Sequence, residues 1–241
     1  MLFRPSIRVS YCLRINQTPR PLPLRRITTT PVLKMRLPYA PNTPPDPSDK
    51  QTTEIYQRIA ERRHPRPLIP LDLSLLHSPP VADGWNSFLG AIRTQTVVDQ
   101  GLLELAVSRV AVITDAVYEW NAHAPLALKG GIKPEELKAV KSLKSTAGGE
   151  SGAVEELEKS ALSAQQKAVV RYADEMTANV KVRDETFEGL KAQGFSDREV
   201  VEITTGIACY NCVSRVLVAL DVGENNAREM KSVDELVEGL K

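Results

Sequence analysis

Apolar and polar positions along this chain recur with helical spacing, and no long stretch alternates in the manner of a strand. "KQTTEIYQRIAERR", residues 50 to 63, reads as a short polar helix, and an irregular, proline-studded stretch follows it. Ser78 with Pro79 behind it forms an N-cap and first-turn pair, opening a helix that sets Trp85, Phe88, Leu89 and Ile92 on its buried side. "DQGLLELAVSRVAVI" is the most apolar segment, starts at Asp99 as N-cap, and must be buried almost all round. Thr114 and Asp115 read as a break and a new cap before "AVYEWNAHAPLAL". Pro125 removes a hydrogen bond and crowds the carbonyl of Asn121, so a kink or tightened turn is expected just after His123. Gly130 and Gly131 end that helix.

"KPEELKAVKSL" predicts a short amphipathic helix and "KSTAGGESGA" a flexible connector. "SAQQKAVVRYADEMTANV" and "RDETFEGLKAQG" are helical in pattern. The next helix opens with a capping box, Ser196 to Glu199, and a hydrophobic staple, Phe195 to Val200. "SVDELVEGLK" predicts a last polar helix on the surface. The sum is an all-α fold of eight or nine helices with no sheet.

Composition changes this picture at one end only. Residues 1–45 hold no Asp or Glu while carrying eight Arg or Lys residues and the run "ITTT", the signature of a mitochondrial transit peptide. Met35 is an alternative start, so the expected location is mitochondrial from Met1 and cytoplasmic from Met35. The expected organisation is a leader over 1–36, a proline-rich lead-in with a short helix over 37–70, the main domain over 71–223, and a surface helix over 224–241. A formal charge of +1 gives no ground for a nucleic-acid or membrane partner, and no uninterrupted apolar run approaches the roughly 18 residues of a span. Three cysteines do not make a disulfide framework.

Three residues stand out chemically. Glu104 lies among residues that want burial, where a carboxylate must be paired, hydrogen-bonded or protonated. That describes a core network as well as a proton-transfer group, and Arg109 is the nearest counter-ion in sequence, though on a different face. Glu119 and His123 are four apart in an apolar helix, so they share a face. A carboxylate beside an imidazole fixes its tautomer and raises its basicity, which suits acid/base work near neutral pH; a surface ion pair has the same spacing. His64 and His77 have no spacing that converges with these, so no metal site is expected. Cys209 and Cys212 form a CxxC, but three to four turns inside their helix, where the dipole no longer lowers a thiol pKa; packing is the expected role.

"LLELAVSRVAVITDAVYEWNAHAPLALKGGIKPEEL" resembles the core of the carboxymuconolactone decarboxylase family, which is also the alkyl hydroperoxidase D-like (AhpD-like) family. The "RYADEMT" and "REVVEITTGIACYNCVSRVLVALDVGE" segments are similar to the second half of its long, often fungal members. In the peroxidase branch a Glu is followed twelve residues later by a CxxC, and four residues after the second Cys by a His. Counting from Glu104 gives Ala116, Glu119 and His123: the Glu and the His are kept, and both sulfurs are replaced.

The resemblance therefore implies the decarboxylase-like branch: a cofactor-free acid/base lyase acting on a small carboxylate or lactone. His123 would protonate the dienolate, Glu119 would orient the imidazole, and Glu104 would be the second proton-transfer or electrostatic group. It also implies a trimer or hexamer. Two alternatives remain: a thiol-dependent peroxiredoxin-type activity through Cys209 and Cys212, and a non-catalytic helical oligomer that keeps the fold.

Overall fold

A computed structural model describes residues 35–241. The acid-free leader, apart from its last two residues, lies outside the described residues, as does Cys12. Eleven helices and no strand are present among the described residues. In chain order they are α1 (Lys50–Arg63), α2 (Pro70–Leu75), α3 (Pro79–Thr94), α4 (Gln100–Ile113), α5 (Val117–Lys129), α6 (Pro134–Ser142), α7 (Ser151–Lys159), α8 (Ala164–Ala178), α9 (Asp184–Lys191), α10 (Asp197–Leu220) and α11 (Val233–Glu238).

Helix α4 is the axis of the fold. Its N-cap Asp99 accepts from the Leu102 amide, and every residue from Gly101 to Ala111 is buried. Helices α5, α6, α8 and α10 pack around it, as its lack of a polar face requires. Its start passes the end of α5 so closely that a Cβ on Gly101 would sit 2.3 Å from the Gly130 carbonyl oxygen, so only glycine fits there. This approach brings the α4 and α5 side chains that matter for chemistry into direct contact.

The polar residues of α4 go to two different places. Arg109 is fully buried and turns away from Glu104: its Nε donates to Asp174 Oδ1 at 2.6 Å, and its terminal nitrogens donate to Asp174 Oδ2 and to the carbonyls of Val140, Leu143 and Lys144. Asp174 also accepts from the Thr146 amide and hydroxyl. This cluster ties α4 to α8 and to the chain leaving α6, and it removes Arg109 as a counter-ion for Glu104.

Several expectations are corrected. Helix α5 continues through Pro125 to Lys129, since proline's φ is helical even though its ring removes one hydrogen bond and crowds the Asn121 carbonyl. The residue capping α5 is Ala116; Asp115, at φ 52°, makes the turn before it. Phe88 faces outward, 47% exposed, while Asn86 takes an inner position and donates to the Ala82 carbonyl. Two helices go beyond the expected nine. Helix α2 begins at Pro70 within the proline-studded stretch, and α7 begins inside the stretch read as a connector. Helix α11 is docked, with Val233 and Leu236 buried against α5 and α6. Helix α10 is long and apolar enough on average to cross a membrane. It carries Arg198, Glu202 and Arg215 and packs against α3, α4, α5 and α8, the pattern of a core helix.

The lead-in is clasped to the end of α10. The Met35 amide donates to Glu224 Oε1 at 3.0 Å, the Arg36 amide to the Leu220 carbonyl at 2.9 Å, and the Tyr39 hydroxyl to the same Glu224 oxygen at 3.2 Å. The Gly223 amide in turn donates to the Tyr39 hydroxyl.

Candidate functional site

Glu104, Glu119 and His123 come together, in a different pairing from the one their spacing suggests. His123 Nδ1 lies 2.6 Å from Glu104 Oε2, across the α4–α5 contact. Both side chains are buried, about one-tenth exposed. The carboxylate thus makes Nδ1 the donor and leaves Nε2 without a protein partner among the described residues. Glu104, not Glu119, orients the imidazole. The i,i+4 relation puts Glu119 and His123 on the same wall, but each takes its partner from a neighbouring helix.

Glu119 is 1% exposed, and its Oε1 has no partner. Burial pushes its carboxyl well above the ordinary 4.5, the hydrogen bond with Ser214 pulls it back, and the charge of Glu104 pushes it further up. Hydrogen-bond arithmetic points the same way. Ser214 Oγ lies 2.9 Å from both Glu119 Oε2 and the Tyr210 carbonyl. One hydroxyl proton satisfies one of the two. Both contacts are satisfied when Glu119 carries a proton and donates to Ser214, which then donates to Tyr210. Two carboxyls in one site therefore stand in different surroundings: Glu104 against an imidazole, Glu119 buried and pushed towards its neutral form.

Glu119 and His123 line a cavity of about 340 Å³. Its apolar wall is formed by Ile69, Leu71, Leu89, Leu126, Val213 and Leu217. Four arginines border it: Arg62 and Arg63 from the end of α1, Arg66 from the following loop, and Arg93 from α3. Arg63 is neutralised by a two-pronged bond to Asp72, at 2.7 and 2.8 Å.

Sequence reasoning missed these arginines and Tyr210. The Tyr210 ring meets the His123 ring edge-on, with centroids 4.6 Å apart, and its hydroxyl is buried without a partner. Burial pushes that phenol far up, so it stays protonated.

The cysteines themselves are unsuited to thiolate chemistry as a pair. Cys209 is buried, which pushes its thiol up to about 12, while Cys212, one turn on, is exposed on the surface that also holds Val180 and Arg215. His64 and His77 stay away from the cavity lining, and His77 Nε2 contacts the Pro38 carbonyl. Among the described residues no group of three or more His, Cys, Asp or Glu side chains is arranged to hold a metal ion.

Comparison with known proteins adds the following. Residues 79–171 match the model of the carboxymuconolactone decarboxylase family, a stretch that includes Glu104, Glu119 and His123. Among solved structures, the chain is similar to an AhpD-core, uncharacterized peroxidase-related protein from Ralstonia eutropha JMP134, with TM-score 0.60, 19% identity, and 84% of this chain and 94% of that one covered. An uncharacterized peroxidase-related protein from Silicibacter sp. TM1040 aligns with TM-score 0.60 and 17% identity over 83% of this chain and 98% of its own. The debrominase Bmp8, solved with 2,3,4-tribromopyrrole, aligns with TM-score 0.54 and 15% identity over 83% of this chain and 96% of its own. No curated protein matches the chain. These identities speak for the fold, and the family match speaks for the segment that holds the buried acid–imidazole pair. The chain thus has a stretch, residues 79–171, that matches the carboxymuconolactone decarboxylase family model, on an all-helical fold similar to AhpD-like structures.

Proposed function

We propose that the cavity is the active site of a cofactor-free acid/base lyase acting on a small carboxylate or lactone. The observation that carries this reading is the contact of His123 with Glu104 next to a buried Glu119 whose carboxyl is pushed towards its neutral form, His123 and Glu119 both lining one cavity. Enzymes that move protons near neutral pH need two groups whose environments push them to opposite states, and this site supplies them. In a decarboxylation, the carbon–carbon bond to the departing carboxylate breaks, carbon dioxide leaves, and its electron pair passes into the conjugated system as a dienolate. His123 Nε2, protonated and backed by Glu104, returns a proton to carbon. A protonated Glu119 sets no negative charge against the developing oxyanion, and the apolar wall keeps bulk water from competing for the proton that His123 delivers.

The alternative thiol chemistry finds little support, because Cys209 is buried and its thiol is held far from the thiolate. A purely packed role for His123 is opposed by the cavity beside it. Assembly as a homo-oligomer belongs to this proposal and is tested by the mass of the protein in solution. The reaction is tested by carbon dioxide release from γ-carboxymuconolactone, with the wild type beside His123→Ala. Turnover that vanishes in the variant is the expected result; equal turnover in both removes His123 from the chemistry.

A further inference from the structure

The reacting groups lie on α4 and α5, but the cations that border the same cavity lie elsewhere. Arg62 and Arg66 come from outside the matched family stretch, and Arg93 comes from α3. Unlike Arg63, these three make no ion pair among the described residues, although the surface bears many carboxylates. Arg62 is held below its usual pKa by desolvation first and then by repulsion from Arg63, with Arg93 adding to it. Arg62 and Arg66 are exposed and Arg93 is half-buried, so solvent screens part of their mutual repulsion, and an anion joining them would relieve the rest. The carboxylates that line or adjoin the cavity do not serve: Asp72 is taken by Arg63, Glu104 by His123, and Glu119 is neutral.

We propose that Arg62, Arg66 and Arg93 form a subsite for the anionic group of an organic substrate, one that keeps its charge while the other end reacts at His123 and Glu119. This deepens the acid/base reading and rests on it for the words "other end". The charge must persist because a guanidinium holding a carboxylate that is about to leave stabilises the ground state and loses that interaction in the transition state, which slows the reaction. A cation cluster set against that carboxylate would work against catalysis, whereas one set against a spectator anion anchors the substrate at no such cost. Ile69, Leu71 and Leu89 stand next to the arginines, so the ligand combines a charged head with an apolar body. The guanidinium fork fits carboxylate and phosphate alike, and the apolar wall favours the organic carboxylate.

Binding separates this inference from the reaction. Calorimetric titration of the full chain with benzoate, benzamide and inorganic phosphate uses probes that need no turnover. Benzoate is expected to bind most tightly, with benzamide and phosphate each about tenfold weaker or more. Arg93→Gln and Arg62→Gln should each lose about tenfold for benzoate and little for benzamide, with unchanged melting temperatures. His123→Ala should keep the benzoate affinity, so failure of the proposed reaction leaves this result readable. Equal affinity for benzoate and benzamide, no benzoate binding, or variants that bind benzoate like the wild type would each overturn the subsite. Phosphate binding as tight as benzoate would overturn the organic anion in favour of a plain anion patch.

Discussion

Replacing Glu119 by glutamine perturbs one group whose behaviour follows from burial alone. The carboxyl is 1% exposed, one oxygen has no partner, and its pKa is raised well above the 4.5 it has when solvated. Between that value and its folded pKa, the folded protein holds a proton that the unfolded chain has released. Stability from this group is therefore whole below about pH 4.5 and is lost as pH rises, at about 1.4 kcal/mol per unit, until the folded pKa is passed. As pH climbs from about 5 towards neutrality the wild type loses this stability through Glu119, while a glutamine of the same shape, still able to bond Ser214, loses none.

Most other titrating groups cancel in the difference between the two proteins. Urea melts across this range should show Glu119→Gln gaining on the wild type as pH rises. In thermal melts the gain is about 2–4 °C per kcal/mol for a domain of this size. Parallel stability curves would refute the reasoning, because they would mean Glu119 titrates alike in both states.

Two further expectations follow. Arg109→Ala leaves Asp174 charged, fully buried and short of its main partner, and should cost about 3–5 kcal/mol in chemical denaturation; adding Asp174→Asn should recover part of it. A maleimide should label Cys212 in the native protein and reach Cys209 only after unfolding, as mass spectrometry of the intact and denatured protein would show. Rapid native labelling of both would contradict the burial of Cys209.

The helices that were legible in the sequence are those with caps and periodicity: Asp99 and Ser196 marked the starts of α4 and α10, and the unbroken apolar run of α4 announced its central place. Helices α2 and α7 were hidden by Pro70 and by the Gly-rich run before Ala153, because proline and glycine at a helix start look the same as loop punctuation. The site was half legible. Burying Glu104 and Glu119 in apolar surroundings signalled their importance, but spacing along one helix cannot report a partner on the next. The Glu104–His123 contact is nineteen residues long in sequence, and it exists because two glycines let α4 and α5 touch. Arg62 and Tyr210 reach the cavity through tertiary folding alone, and no local pattern announces it.

The clasp between the lead-in and the end of α10 carries a kinetic meaning. Its Met35–Glu224 bond spans 189 positions, and closing so long a loop in an unstructured chain costs about 4–5 kcal/mol in entropy. Five hydrogen bonds at about 1 kcal/mol each do no more than match that cost, so the clasp gains a net advantage once α4 and its neighbours have drawn the ends together. Assembly is thereby ordered in time. The α4–α5 contact forms first, from residues close in sequence, while the segment that leads into α1 and its arginines is fastened last. The arginine-bearing edge of the cavity is then also the part that can come undone while the Glu104–His123 contact beneath it stays in place.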